Sequence, residues 1–230
     1  MADMDFLPLP DFETSEPKVL FSEDSVSARL AELGLDIDVF HQALNHGHNG
    51  AGRVTGAHSK IAAGTYRWHE TLAAMRNELG ERSWKQSDVK NAPRMVSPDG
   101  RISLMVVTGN AKTGTKKTPS NATTKGTMTQ QDVWNNGESD QQQIEEVAQI
   151  LASQQPVTWV LLYFYSREFN HLRAELSLPN AHGMTNGYIT KWDERIILPK
   201  IEFGEQEYLL DAQPDTTPDI DFYIGNADAV

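Results

Sequence analysis

The sequence predicts an α+β fold in which N-terminal helices and one mid-chain helix pack on a largely antiparallel C-terminal sheet. Apolar residues recur at helical spacing through most of the first third of the chain. From Val157 onward they alternate or run continuously, as in strands. The helices precede most of the strands instead of alternating with them, which favours α+β over a parallel α/β architecture. With 230 residues, of which 39% are hydrophobic, the chain is long enough to bury a core without disulfides.

Three helices are predicted in the first third of the chain. Ser22 and Asp36 are good N-cap residues, and Gly34 lies where the first helix would end. The apolar residues on the three helical faces are Val26, Leu30 and Leu33, then Ile37, Phe40 and Leu44, and finally Trp68, Leu72, Met75 and Leu79. Residues 46–58 are rich in Gly and His and contain one large apolar residue, Val54. We therefore predict a loop between the second and third helices.

The pattern changes to a hairpin and then returns to a helix in the middle of the chain. Residues 98–100, Pro-Asp-Gly, lie between the apolar runs 95–96 and 102–107, and Asp-Gly tolerates the positive φ of a hairpin turn. The mid-chain helix is predicted after Ser139, which fits a capping box. Its apolar residues are Ile144, Val147 and Leu151.

Most of the C-terminal third is predicted to form strands. Residues 157–165 are an apolar run with β-branched and aromatic side chains, typical of a central strand that is covered on both faces. Apolar and polar residues alternate over 171–178, which predicts a half-buried strand whose polar face is exposed to solvent. Further short strands are predicted at residues 192–198, 201–203, 208–210 and 220–224.

The domain organisation predicted from composition is simple. Residues 1–20 are expected to be a disordered acidic tail, and residues 21–230 a single α+β domain with a long basic loop at 109–131. The chain has no Cys, lacks a signal-peptide pattern near its N-terminus, and has no apolar run as long as a membrane-spanning helix. We therefore expect a cytoplasmic protein with no membrane partner.

Charge is distributed very unevenly along the chain. Residues 1–40 contain 10 acids and 2 bases, residues 41–131 contain 5 acids and 13 bases, and residues 132–230 contain 17 acids and 5 bases. The middle third is thus strongly basic although the whole chain has a net charge of −12. Such a tract either binds a polyanion or is neutralised by acids of the same chain, and the acidic C-terminal half is the obvious internal partner.

The basic loop is the candidate binding site. Lys112, Lys116, Lys117 and Lys125 lie among Thr, Ser, Asn and Gly, whose hydroxyl groups and backbone amides suit phosphate oxygens. A phosphate-binding P-loop is excluded because the order of Gly and Lys is wrong and no helix is predicted to follow. Arg53 and Lys60 extend the site, and Trp84 is a candidate for stacking on bases. The alternative is a mobile loop whose lysines only keep it solvated.

These observations predict a non-enzymatic binding protein that engages a phosphate-rich ligand through its basic central tract and mobile loop. Nucleic acid is the expected ligand, and no cofactor, metal or catalytic residue is predicted. The first alternative is a regulatory protein that binds a protein partner through its acidic ends, since residues 205–230 contain seven acids and no base. The oligomeric state is not predicted.

The second alternative is an enzyme. The histidines His46 and His48 offer nitrogen ligands to a transition metal, although their spacing matches no established site. His171 and Glu175 lie on one face of a predicted strand and offer an acid and a base. Serine-hydrolase and dinucleotide-binding signatures do not occur in the sequence.

Overall fold

A computed structural model describes residues 16–138 and 156–204 of the chain. Within these ranges the helices are α1 (Glu23–Glu32), α2 (Ile37–Ala51), α3 (Ala62–Glu81) and α4 (Thr127–Glu138), with a 3-10 helix at Val89–Asn91. The strands are β1 (Lys18–Leu20), β2 (Lys85–Ser87), β3 (Arg94–Val96), β4 (Ile102–Thr108), β5 (Val157–Ser166), β6 (His171–Pro179), β7 (Met184–Thr185), β8 (Tyr188–Ile189), β9 (Trp192–Ile197) and β10 (Ile201–Glu202).

One mixed sheet organises the fold. Its strand order is β1-β9-β6-β5-β4-β3-β2, and β10 also pairs with β6. Most neighbours are antiparallel, but β4 pairs with β5 and β1 pairs with β9 in parallel. Strands β7 and β8 form a separate hairpin. Helices packed on a mostly antiparallel sheet confirm the predicted α+β class.

Both faces of the sheet are covered in the described ranges. On one face, helices α1, α2 and α3 enclose the larger core, which includes Leu30, Phe40, Met75, Leu104, Leu161 and Leu176. On the other face, a smaller core combines Val133 of α4 with Met105, Val107, Val160, Leu162, Ile189 and Trp192. Strand β5 contributes side chains to both cores, so the prediction that it is a central strand with two covered faces is confirmed.

The predicted helix caps and turns are confirmed. Ser22 caps α1 by accepting a hydrogen bond from the Ser25 backbone amide, and Asp36 caps α2 by accepting one from Val39. Gly34 follows α1 with φ of +72°, and Gly100 in the β3–β4 turn has φ of +73°, conformations that favour glycine.

The predicted loop at residues 46–58 is wrong in its first part, because α2 continues to Ala51. Gly47 and Gly50 face α3 at close range. A Cβ atom added at Gly47 would lie 2.6 Å from the Arg67 carbonyl oxygen and would also clash with the Thr71 hydroxyl group. These glycines let two helix backbones approach each other, so they do not end the helix as their usual propensity suggests.

Helix α4 was not predicted, because its sequence is mostly polar. Val133 of this helix is buried in the smaller core, and Asn136 adds hydrogen bonds to the sheet. The Asn136 side-chain amide donates to the Thr158 carbonyl oxygen at 3.0 Å, and its oxygen accepts from the Thr158 backbone amide at 2.8 Å. One side chain therefore pairs with the start of β5 as a neighbouring strand would.

Several predicted boundaries shift or fall outside the described ranges. Residues 18–20, assigned to the acidic tail, form β1, and the basic loop ends at Gly126 because α4 begins at Thr127. The predicted helix after Ser139 and the strands at 208–210 and 220–224 lie outside the described residues.

Candidate nucleic-acid interface

The segment 109–126, called the basic loop below, closes on itself where it leaves the sheet. The Gly109 amide donates to the Tyr163 carbonyl oxygen at 2.8 Å, and Gly109 forms an antiparallel bridge with Asn121. The Ala122 amide donates to the Thr108 carbonyl oxygen at 2.8 Å. The two ends of the loop therefore meet at the end of β4, as in a compact Ω-type loop.

A buried ion pair fastens the first half of the basic loop to the sheet. Arg195 of β9 donates from Nε to Glu175 Oε1 at 3.0 Å and from Nη2 to Oε2 at 2.6 Å. The side chains of Arg195 and Glu175 are only 1% and 0% exposed. Glu175 Oε2 also accepts from the Gly114 amide at 2.9 Å, and Arg195 Nη2 donates to the Thr115 carbonyl oxygen at 2.9 Å. Each partner of the ion pair thus holds one residue of the loop.

The prediction that the polar face of β6 is exposed to solvent is wrong, because the basic loop covers it. Ser177 and Arg195 bind one oxygen of Glu175, and Arg195 and Gly114 bind the other. Burial and the nearby Arg173 lower the pKa of His171, which lies at the start of the same strand. Because both oxygens of Glu175 accept hydrogen bonds from within the protein, neither is open to a substrate.

The second half of the basic loop binds the β7–β8 hairpin. The Ile189 amide donates to the side-chain oxygen of Asn121 at 2.6 Å, and the Asn121 side-chain amide donates to the Gly187 carbonyl oxygen at 3.0 Å. The Trp192 indole donates to the Pro119 carbonyl oxygen at 3.0 Å. The sequence predicts a mobile loop, whereas the structure gives both halves specific contacts with the sheet layer.

The expectation that backbone amides of the basic loop bind phosphate is wrong for most of its tip. The Lys112 amide donates to the Asn110 side chain at 3.0 Å, and the Lys117 amide donates to the Thr115 hydroxyl oxygen at 3.1 Å. The Gly114 amide binds Glu175, as described above. Because the loop uses these donors itself, any attraction for an anion comes from its side chains.

Three of the six predicted site residues lie together on the surface. Lys112, Lys116 and Lys117 are exposed at the tip of the basic loop, and none has an ion-pairing carboxylate among the residues that the structure describes. Lys125 is only 8% exposed. Arg53 and Lys60 are also exposed, but they lie in the connection between α2 and α3, in the helical layer on the other side of the sheet.

The arginines of the basic tract are mostly neutralised within the fold. The ion pairs are Arg53–Glu70, Arg76–Asp88, Arg82–Asp36, Arg94–Asp132 and Arg101–Asp99. Arg67 is buried, and its guanidinium carbon lies 4.3 Å from the ring centroid of Tyr165. Only one of these five carboxylates, that of Asp132, comes from the acidic C-terminal half. The predicted neutralisation by that half therefore does not account for the other four pairs.

An aromatic side chain that was not predicted from the sequence lies beside the exposed lysines. Phe21 is 64% exposed, and Lys116 Nζ lies 5.3 Å from the centroid of its ring. Trp84, the candidate for stacking on bases, is buried in the larger core, so that prediction is wrong. No local pattern connects residue 21 with residue 116, because the sheet brings them together.

The histidines proposed as metal ligands do not form a site in the described ranges. His48 is buried in α2 and stacks on Phe203, with ring centroids 3.5 Å apart. Burial and the nearby Arg67 lower the pKa of His48 to about 4, so the ring is neutral at neutral pH. His46 is exposed. The residues that the structure describes contain no group of three or more His, Cys, Asp or Glu side chains arranged to hold a metal ion.

The net negative charge of the chain lies entirely outside the described ranges. Residues 16–138 and 156–204 contain all 20 bases and 18 of the acids, a net charge of +2. The other 58 residues contain 14 acids and no base. The part of the chain that carries the basic loop is therefore not acidic by itself.

No helix within residues 16–138 or 156–204 has the length and apolar character needed to cross a membrane. Comparisons of the chain with protein-family models, with curated proteins and with solved structures found no match.

Proposed function

We propose that this protein is a non-enzymatic binding protein that engages nucleic acid through Lys112, Lys116 and Lys117. The supporting observation is that three ammonium groups are exposed on one short turn, and this turn is held by the buried Glu175–Arg195 pair. A polyanion can neutralise closely spaced cations without breaking internal ion pairs. Since the backbone is already ordered, little conformational entropy is lost when a ligand binds.

Salt dependence follows directly from this proposal. Each phosphate that is neutralised by a lysine releases condensed counterions, so the logarithm of the binding constant falls linearly with the logarithm of the salt concentration. Three such contacts contribute a slope of about 2–3 in magnitude. Phosphate contacts by lysine alone carry no sequence information, so the proposal is for binding with little base specificity.

Replacing Lys112, Lys116 and Lys117 with Gln is expected to abolish most of the salt-dependent binding. The slope should decrease in magnitude by about 2–3, because three counterion-releasing contacts are lost. Fluorescence anisotropy with labelled DNA and RNA, measured over a series of salt concentrations, provides this slope. The matched control replaces the exposed Lys85, Lys191 and Lys200, which changes the net charge equally at other places.

If both triple variants lose the same affinity, net charge and not the basic loop determines binding. If the unmodified protein does not bind either nucleic acid at low salt, the proposed function is wrong.

The acidic segment 205–230 is expected to weaken this binding. The segment contains seven acids and no base, and it belongs to the same chain as the basic loop. Their negative charge opposes the approach of a polyanion to the protein.

Neutralising all seven acids of residues 205–230 with Asn or Gln is expected to raise nucleic-acid affinity at low salt. Unlike a deletion, this change keeps the chain length constant. The gain should decrease as salt increases, because screening acts on exposed charges. Equal affinities of the neutralised and unmodified proteins at low salt would show that the segment does not act on the binding surface.

A further inference from the structure

We infer that Phe21 is a stacking platform that makes the lysine surface selective for single-stranded nucleic acid. The inference rests on the proposed function, since it identifies the class of ligand that the same surface prefers. An unpaired base has a free π face that stacks on an exposed aromatic ring, whereas the bases of a duplex are stacked on each other. Phe21 and Lys116 are close enough to contact the base and the phosphate of one nucleotide.

The backbone on both sides of Phe21 is fixed. Before it, β1 pairs with β9 in parallel up to Leu20, which lies opposite Ile196 and packs against the larger core. After it, Ser22 caps α1, and its carbonyl oxygen accepts from the Val26 amide at 2.9 Å. Because Leu20 faces the helical layer, the side chain of Phe21 emerges on the other side of the strand, toward the basic loop.

The neighbour of Phe21 distinguishes it from the other exposed aromatic side chains. Phe169 is 65% exposed, but its ring stacks on His171, and the exposed Trp134 packs edge-on against His182. Tyr66 packs edge-on against His58 in the helical layer. Among the exposed aromatic residues of the described ranges, Phe21 is the one whose ring meets a lysine or an arginine. Isolated exposed aromatics are common, but one beside three cations matches the composition of single-strand binding surfaces.

The geometry leaves both interactions available at once. The ring is 64% exposed while Lys116 Nζ lies 5.3 Å from its centroid. Lys112 and Lys117 are close in sequence on either side of Lys116, so a strand whose base covers the ring passes its phosphates along the loop tip. Neighbouring cations also strengthen stacking through cation–π attraction.

The experiment compares Phe21→Ala, Phe21→Leu and Phe21→Trp with the unmodified protein. The probes are a single-stranded oligothymidylate and a DNA duplex of the same length, both at low salt. Phe21→Ala should weaken oligothymidylate binding roughly 5-fold or more, since stacking on one aromatic residue contributes at least about 1 kcal/mol. Duplex binding should be unchanged. Phe21→Leu should lose as much as Phe21→Ala, because it keeps apolar bulk without a π face, and Phe21→Trp should retain affinity.

The matched control is Phe169→Ala, which removes a ring of the same type and exposure that contacts no lysine. Thermal unfolding verifies that each variant is folded, as expected for exposed positions. If Phe21→Ala and the unmodified protein bind oligothymidylate equally while the triple lysine variant loses binding, the stacking role is wrong and the proposed function stands. If equal losses occur on single strands and on the duplex, Phe21 does not select single strands. If the unmodified protein binds neither probe, both proposals are wrong.

Discussion

Replacing Arg195 with Met is expected to destabilise the protein by about 3–5 kcal/mol, the usual cost of leaving one buried charge without its partner. Glu175 is completely buried, and Arg195 supplies two of the hydrogen bonds to its carboxylate. Without Arg195 this carboxylate keeps the Gly114 amide and the Ser177 hydroxyl group, which carry no compensating charge. Equilibrium urea unfolding of the two proteins measures the difference in the free energy of unfolding.

The double variant Glu175→Leu with Arg195→Met provides the control. It removes both charges, so no unpaired ion remains, and it should be more stable than Arg195→Met alone. A loss well below 3 kcal/mol in the single variant, with no recovery in the double variant, would contradict burial of the pair.

A second readout of the same variants reports on the basic loop. The exposed Lys112, Lys116 and Lys117 are trypsin sites, and a protease cleaves segments that open locally. Arg195→Met should therefore be cut in this loop faster than the unmodified protein under native conditions. Mass spectrometry of the first fragments identifies the cleaved bonds. Faster cleavage elsewhere, with the loop unaffected, would show that the ion pair does not hold it.

Replacing Gly47 with Ala is expected to destabilise the protein by about 1–3 kcal/mol, as inserting an atom into a well-packed interface does. The added Cβ would lie 2.6 Å from the Arg67 carbonyl oxygen. This neighbour is backbone, so α2 and α3 must separate to accept the methyl group. The measurement is again urea unfolding.

Gly80→Ala is the matched control for Gly47→Ala. Gly80 is also helical, near the end of α3, but a Cβ atom there would have no neighbour within 4 Å. Alanine should therefore stabilise α3 by up to about 1 kcal/mol through its helix propensity. Opposite signs for the two Gly→Ala changes are the expected result. If Gly47→Ala also stabilises the protein, the space between α2 and α3 at Gly47 is large enough for a methyl group, and the close contact described here is wrong.

Features that depend on neighbouring residues could be predicted from the sequence. The caps at Ser22 and Asp36 and the turn at Gly100 follow from local backbone chemistry. Strand β5 follows from its apolar run. The full length of α2 could have been predicted as well, because Ala43, Gly47 and Ala51 recur at helical spacing and small residues on one face indicate a close helix contact.

Features that depend on tertiary pairing could not be predicted. The lysines of the basic loop could be recognised as a group because they are close together in the chain. Their aromatic neighbour Phe21 and their anchors Glu175 and Arg195 are remote in sequence, and a single chain without pairing information does not reveal such contacts. For the same reason β6 was assigned an exposed polar face, since alternation of residues indicates two faces but not what covers each.

The parallel pairing of β1 with β9 has a consequence for the order in which the protein folds. Lys18 lies opposite Glu194, so the first strand of the described chain pairs with one of the last. Contacts between such distant segments form late and slowly, and during synthesis β9 leaves the ribosome long after β1. The ring of Phe21 therefore reaches its place beside Lys116 only after β9 has been synthesised.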